Sequence, residues 1–184
     1  MRIFYTASYY GKSKYQKEYS MVLRAIEQTG ARVISPEKGN YKNFLSLNVK
    51  KKLHDERKIH AEAVRKGILI SDAVVIETSH EDFQLGYEAA FAVEHKKHLL
   101  CLSLHENFSD KMRYRYFVGA RYNEYNIEEI VQNFITLVQK GQFSERFNCF
   151  LSPSQLKYVK EKAKTNNMNS SEYLRYLIDE NRNA

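Results

Sequence analysis

The chain has 184 residues, with 29 Lys and Arg against 22 Asp and Glu (a formal charge of +7), and is 43% hydrophobic and 28% charged. That balance excludes a disordered chain and suits one domain of ordinary size with a small appendage. No apolar run approaches the roughly 20 residues of a spanning helix, so no membrane span is expected. Met1-Arg2-Ile3-Phe4-Tyr5-Thr6 turns polar before a signal-peptide core develops. Two cysteines, Cys101 and Cys149, build no disulfide framework and point to a reducing cytoplasmic setting. Seven glycines without GxGxxG or Walker spacing exclude a glycine-rich phosphate loop, and no cofactor or metal is expected. The scattered excess of base is compatible with nucleic acid, with acidic small molecules or with solubility alone.

Strand and helix patterns alternate along the first three quarters. Arg2 to Thr6 reads as a strand. Lys14 to Thr29 carries Tyr15, Tyr19, Val22, Leu23 and Ile26 at helical spacing, and Gly30 stops it. Arg32 to Ser35 is a short strand, followed by a lysine-rich excursion over residues 37–53. A helix is expected from about Asp55 to Ile70, then the strand Ala73-Val-Val-Ile-Glu77, the helix Leu85 to Glu94 and the strand His98 to Leu104. A last strand is expected near Arg121 to Tyr125. Asn126-Ile-Glu-Glu129 reads as a capping box opening a helix through Val138. The alternation predicts an α/β fold, a parallel sheet flanked on both sides by helices, over residues 1–140.

Beyond Lys140-Gly141 the pattern changes. Arg146-Phe-Asn-Cys-Phe-Leu151 reads as one strand, Ser152-Pro-Ser-Gln155 as an N-cap with proline in the first turn, and Asn169-Ser-Ser-Glu172 as a second cap. Residues 141–184 therefore predict a strand–helix–helix module too small to stand alone. Its strand has no partner within the module, so a second copy of the chain is expected to supply one.

In an open parallel sheet, ligands collect beyond the carboxyl ends of the strands. Two segments lie there: Thr6-Ala-Ser-Tyr-Tyr-Gly11, and Glu77 to Glu88, which holds Glu77, Glu81, Asp82 and Glu88. The helix dipole is expected to keep Glu88 ionised and aimed into the crevice. Such a carboxylate can attack a sugar carbon that is becoming an oxocarbenium ion. The plainer alternative is that Glu88 complements the dipole and Asp82 caps the helix.

Ile3-Phe-Tyr-Thr-Ala-Ser-Tyr-Tyr10, Gly67-Ile68 with Ser71-Asp72, and Glu81-Asp82-x-x-Leu85-Gly86-Tyr87-Glu88 with Ala92 resemble the nucleoside 2-deoxyribosyltransferase family. That family includes the deoxynucleoside monophosphate N-glycosidases. The resemblance implies a flavodoxin-like sheet and cleavage of an N-glycosidic bond through a glutamate nucleophile, which falls on Glu88. It implies a small-molecule nucleoside substrate and a neighbouring subunit at each site. Asp82 matches the transferases' aspartate that contacts the sugar 5′-hydroxyl. Tyr9 and Tyr10 fall where aromatic residues meet the base, and Ser8 and Gly86 complete the implied substrate-binding set. The monophosphate hydrolases instead carry serine at the Asp82 position and arginine where this chain has Tyr10, which favours an unphosphorylated nucleoside. Two positions depart from the family: Phe4 replaces a tyrosine that orients the nucleophile, and Val64 an aspartate near the base. His60, one helical turn before Val64, is the candidate substitute acid. Asp72, at the amino end of its strand, is read as structural.

The tail resembles the ribbon-helix-helix DNA-binding fold through Arg146-Phe-Asn-Cys-Phe-Leu-Ser152, Gln155-Leu156 and Ser171-Glu-Tyr-Leu-Arg175. The resemblance implies DNA-reading positions at Arg146, Asn148 and Phe150, with Phe147, Cys149 and Leu151 packed inward. Phe150 offers no hydrogen bond, and residues 141–184 hold seven basic against five acidic residues, a thin charge for phosphate contacts. A dimerisation staple with Phe150 buried is the favoured alternative. Three functions follow as expectations. The first is a homodimeric or larger N-glycosidic transferase or hydrolase. The second is a nucleoside-sensing DNA-binding regulator, and the third a glycohydrolase acting on a larger nucleotide such as NAD.

Overall fold

The computed structural model describes residues 1–112, 114–141 and 147–183, with side chains through residue 181. Strands β1 (Arg2–Ala7), β2 (Arg32–Ile34), β3 (Ala73–Glu77), β4 (His98–Ser103) and β5 (Phe117–Arg121) form one sheet in the order β2-β1-β3-β4-β5. Every pairing is parallel. Parallel neighbours need crossovers, and most carry helices: α1 (Lys12–Gln28), α2 (Leu47–Leu53), α3 (Glu56–Ile70) and α4 (Phe83–Glu94), with α5 (Ile127–Gly141) following β5. This is a flavodoxin-like α/β fold.

Alternation along the strands divides the core in two. Ile3, Tyr5 and Val75 point to one face and pack under Val22 and Ile26 of α1 and Val131, Phe134 and Val138 of α5. Phe4, Val74 and Ile76 point to the other, against Val64 and Ile68 of α3 and Leu85, Phe91 and Ala92 of α4. All five residues of β3 are buried, as a central strand covered on both faces requires. Asp72 ties the amino ends of two strands together, accepting from the Arg2 amide at 2.8 Å while its own amide donates to the Arg2 carbonyl. It therefore sits at the edge opposite the crevice.

Gly67 lets α3 lie close to β1, because a Cβ there would stand 2.5 Å from the Phe4 ring. Gly67→Ala is therefore expected to destabilise the fold by about 1–3 kcal/mol through overpacking. A denaturation midpoint equal to that of the parent protein would contradict this contact.

Two local expectations are corrected. The last strand is Phe117–Arg121 rather than 121–125. Gly119 allows the 3-10 turn at Phe108–Asp110 to approach the strand, where the Ser109 hydroxyl meets both the amide and the carbonyl of Gly119. Beyond it, the Asn123 carboxamide oxygen takes the amides of Tyr125 and Asn126 and so forms a turn instead of a ladder. For the same reason the Asn126 side chain bonds backward to the Asn123 amide rather than capping α5. The excursion at 37–53 holds a 3-10 turn at Tyr41–Phe44 as well as α2.

The chain divides into two compact units, Met1–Ser144 and Glu145–Ala184. In the second, α6 (Pro153–Thr165) opens with a complete Ser152/Gln155 capping box. Reciprocal Asn169–Glu172 bonds open α7 (Ser170–Asn183). Its core is small: Val159, Ala163 and Tyr173, backed by Leu174 and Leu177. Residues 147–151 carry no strand. Phe147 and Cys149, expected inward, are exposed, and so is Phe150, which the staple reading expected to be buried.

Candidate active site

The carboxyl ends of β1 and β3 lie side by side, with Ala7 registered against Glu77, so the loops that follow them leave the sheet at one point. The Ser8 hydroxyl donates to Asp82 Oδ2, while Asp82 Oδ1 accepts from the Leu85 amide at 2.9 Å and caps α4. Asp82 thus joins the two loops, and the capping role foreseen as its plainer reading is realised. That cap also starts α4 at Phe83, two residues before the expected start at Leu85. The first loop is tightly seated, since a Cβ on Gly11 would meet the Tyr19 hydroxyl at 2.2 Å and His80 Cβ at 2.6 Å.

A cavity of about 310 Å³ opens at this edge, walled by Tyr9, Tyr10, Tyr41, His60, Asp82 and Gln84 among others. Its volume lies at the lower end of the range for small-molecule sites. Tyr9 and Tyr10 meet edge to face at 5.9 Å and are largely exposed at the mouth, with the Lys12 ammonium 5.9 Å over the Tyr9 ring. Lys12, also in the wall, is paired with the nearly buried Glu37 at 2.8 Å. Gly86 faces open space, so the chain itself places no steric demand for glycine there.

Glu88 lies in the second turn of α4 and is 1% exposed. Its Oε1 accepts from Gln84 Nε2 at 2.7 Å, and its Oε2 is buried without a hydrogen bond among the described residues. Burial pushes its carboxyl up to about 7, against the smaller opposing effects of the Gln84 amide and the Thr6 hydroxyl. The expectation that the helix dipole keeps Glu88 ionised is therefore corrected. The dipole acts mainly within the first turn, and one turn deeper desolvation outweighs it.

His60 projects from α3 and stands between two polar partners. Its Nδ1 lies 2.9 Å from the Tyr41 hydroxyl and its Nε2 lies 3.0 Å from Gln84 Nε2. With the Gln84 amino group directed at both Glu88 and His60, His60 Nε2 accepts and the ring proton sits on Nδ1. Burial and the Lys42 ammonium both lower its basicity, in keeping with a neutral ring.

The remaining expected positions separate. Glu77 shares the parity of Val75 and so faces away from Glu88, fully buried, bound by Ser79 and by the Tyr122 hydroxyl at 3.0 Å. Phe4 of β1 and Val64 of α3 are apolar core where that helix packs on the sheet. Arg146 lies outside the described residues, and Asn148 is exposed in a segment without a strand. Sequence reasoning gave no role to Gln84, Thr6 or Tyr41. Gln84 was within reach, lying four residues before Glu88 and hence on the same helix face. Tyr41 was not, because it approaches His60 only through the folding of the excursion.

No protein-family model matches the chain, and no curated protein matches it. Among solved structures, one similar chain is the CMP N-glycosidase BcmB of Clostridium botulinum. It shows 14% identity and a TM-score of 0.47, over 74% of this chain and 99% of that one. The likeness is one of general fold and carries nothing about chemistry.

Proposed function

We propose that the protein cleaves or exchanges the N-glycosidic bond of an unphosphorylated nucleoside, with Glu88 as the nucleophile. The observation that carries this reading is the Glu88 side chain itself: desolvated, held at Oε1 by Gln84, and with Oε2 unbonded. An oxygen with no hydrogen bond to break is the more nucleophilic of the two. Oε2 attacks C1′ as the C1′–N bond breaks, and the base departs with that electron pair and takes a proton from water. Water or a second base then attacks C1′ of the glycosyl ester, gives up a proton to the hydroxide left by the first step, and releases the carboxylate. Two displacements give net retention at C1′.

Tyr9 and Tyr10 take the base, Asp82 and Ser8 the 5′-hydroxyl end of the sugar, and Gly86 leaves room beside it. The carboxylate of Asp82 opposes a 5′-phosphate, and Lys12 is already neutralised by Glu37. Incubation with nucleosides, with and without a free base, followed by chromatography, is expected to show base release or exchange. Absence of both across purine and pyrimidine nucleosides would refute the proposal.

The second unit is read as a pairing segment rather than a DNA reader, and the enzyme as a homodimer or higher oligomer. The small core of that unit and the exposed rings of Phe147 and Phe150 support this. Truncation after Gly141 is expected to lower the mass measured by sedimentation equilibrium. An unchanged mass would contradict it.

A further inference from the structure

Gln84 does more than hold Glu88. Both hydrogens of its amino group are committed, one to Glu88 Oε1 at 2.7 Å and one to His60 Nε2 at 3.0 Å. His60 is fixed in turn by the Tyr41 hydroxyl at its other nitrogen. The carboxamide is therefore held in one orientation. Its oxygen makes no hydrogen bond to the described residues, and the side chain lines the cavity. An acceptor of fixed direction thus stands beside the carboxylate assigned to C1′.

On the reading of Glu88 as nucleophile, the stereochemistry of the substrate identifies what that acceptor meets. In a natural β-nucleoside the base occupies the upper face of the sugar ring. A nucleophile displacing it in line approaches from below. The atoms of the base that flank the glycosidic nitrogen are C–H, carbonyl oxygen or imino nitrogen, so none donates a hydrogen bond there. The 5′-hydroxyl is carried on the upper face. The 2′- and 3′-hydroxyls of ribose both hang on the lower face and both donate, but the 2′-hydroxyl is on the carbon next to C1′ and so is the nearer to an acceptor beside Glu88. We infer that Gln84 Oε1 accepts a hydrogen bond from the ribose 2′-hydroxyl, making Gln84 the residue that selects ribonucleosides over 2′-deoxynucleosides. Contacts to this hydroxyl strengthen as positive charge develops at C1′, so the selection acts on the transition state as well as on binding. His60 and Tyr41 are positioning residues in this arrangement, because they orient the carboxamide without touching the sugar.

The test uses the full-length protein and three nucleosides of one base, carrying ribose, arabinose and 2′-deoxyribose. Arabinose keeps an electron-withdrawing 2′-hydroxyl but places it on the upper face, so it controls for intrinsic reactivity. The parent protein is expected to favour ribose over arabinose in kcat/KM by about tenfold or more, the worth of one well-placed hydrogen bond. In Gln84→Met that ratio falls toward one, and the ribose-to-deoxyribose ratio falls by a similar factor. A role confined to holding Glu88 would slow all three substrates equally and leave both ratios unchanged. Gln84 is exposed on the first turn of α4, and circular dichroism checks that the variant is folded. Base release with no preference for ribose over arabinose in the parent protein, or with the preference intact in Gln84→Met, overturns the inference alone. Base release from none of the three overturns the glycosidic reading and the inference together.

Discussion

Glu88→Ala and Glu88→Gln are each expected to lower kcat for base release by on the order of 10³-fold or more, with the fold retained. Alanine removes the attacking oxygen. Glutamine keeps the shape and the contact with Gln84 but replaces a carboxylate by an amide that does not form a stable ester. The parent enzyme should also show a pH profile governed by this group. Its carboxyl titrates at about 7, so kcat/KM rises with pH through neutrality and levels off once Glu88 is ionised. Steady-state rates between pH 5 and 9 check this. Activity in either variant within tenfold of the parent, or a profile flat from pH 5 to 9, would remove Glu88 from the chemistry.

The second large effect is on stability, and its sign is opposite to that on activity. Folding raises the Glu88 carboxyl from 4.5 to about 7, so the folded protein binds this proton more tightly than the unfolded chain. Below about pH 4.5 the group is neutral in both states and costs nothing. Between about pH 4.5 and 7 the unfolded chain ionises while the folded state keeps the proton, so stability falls by about 3 kcal/mol in total and levels off above 7. Glu88→Gln lacks this penalty. It is expected to be more stable than the parent by up to about 3 kcal/mol at pH 8 and nearly equal to it at pH 4. Urea melts at both values test the prediction. A variant less stable than the parent at pH 8, or a gain that does not vary with pH, would show that Glu88 is not held against its own desolvation. Stability given up at a single buried carboxylate is what a reactive site is expected to show.

Much of the sheet was legible because its signal is local. Ala73-Val-Val-Ile-Glu77 reads as a buried strand whatever surrounds it, and the Ser152 and Asn169 caps announce α6 and α7 at the correct residues. The place of Glu88 on α4, the helix that follows the central strand, was legible from strand–helix order. What escaped the sequence depends on distant parts of the chain. The position of β5 is set by Ser109 folding onto Gly119, and the protonation of His60 by Tyr41 and Gln84, which arrive from two other segments. The ionisation of Glu88 was misjudged for a physical reason: helix position can be read from spacing, whereas desolvation depends on everything packed above the residue. Glu77 was grouped with the site by sequence proximity, although strand parity sends it to the opposite face. The tail shows a further limit, since the alternation expected to make a strand of residues 147–151 forms none.

The central claim is a covalent bond between the sugar and Glu88. A nucleoside bearing 2′-fluorine slows both displacements, and acid quenching followed by peptide mass spectrometry reads the ester directly. The account predicts a fluoropentosyl mass on the peptide that contains Glu88, lost when a free base or time is allowed, and no such mass in Glu88→Gln. A sugar adduct on any other peptide, or one that persists in Glu88→Gln, would contradict it.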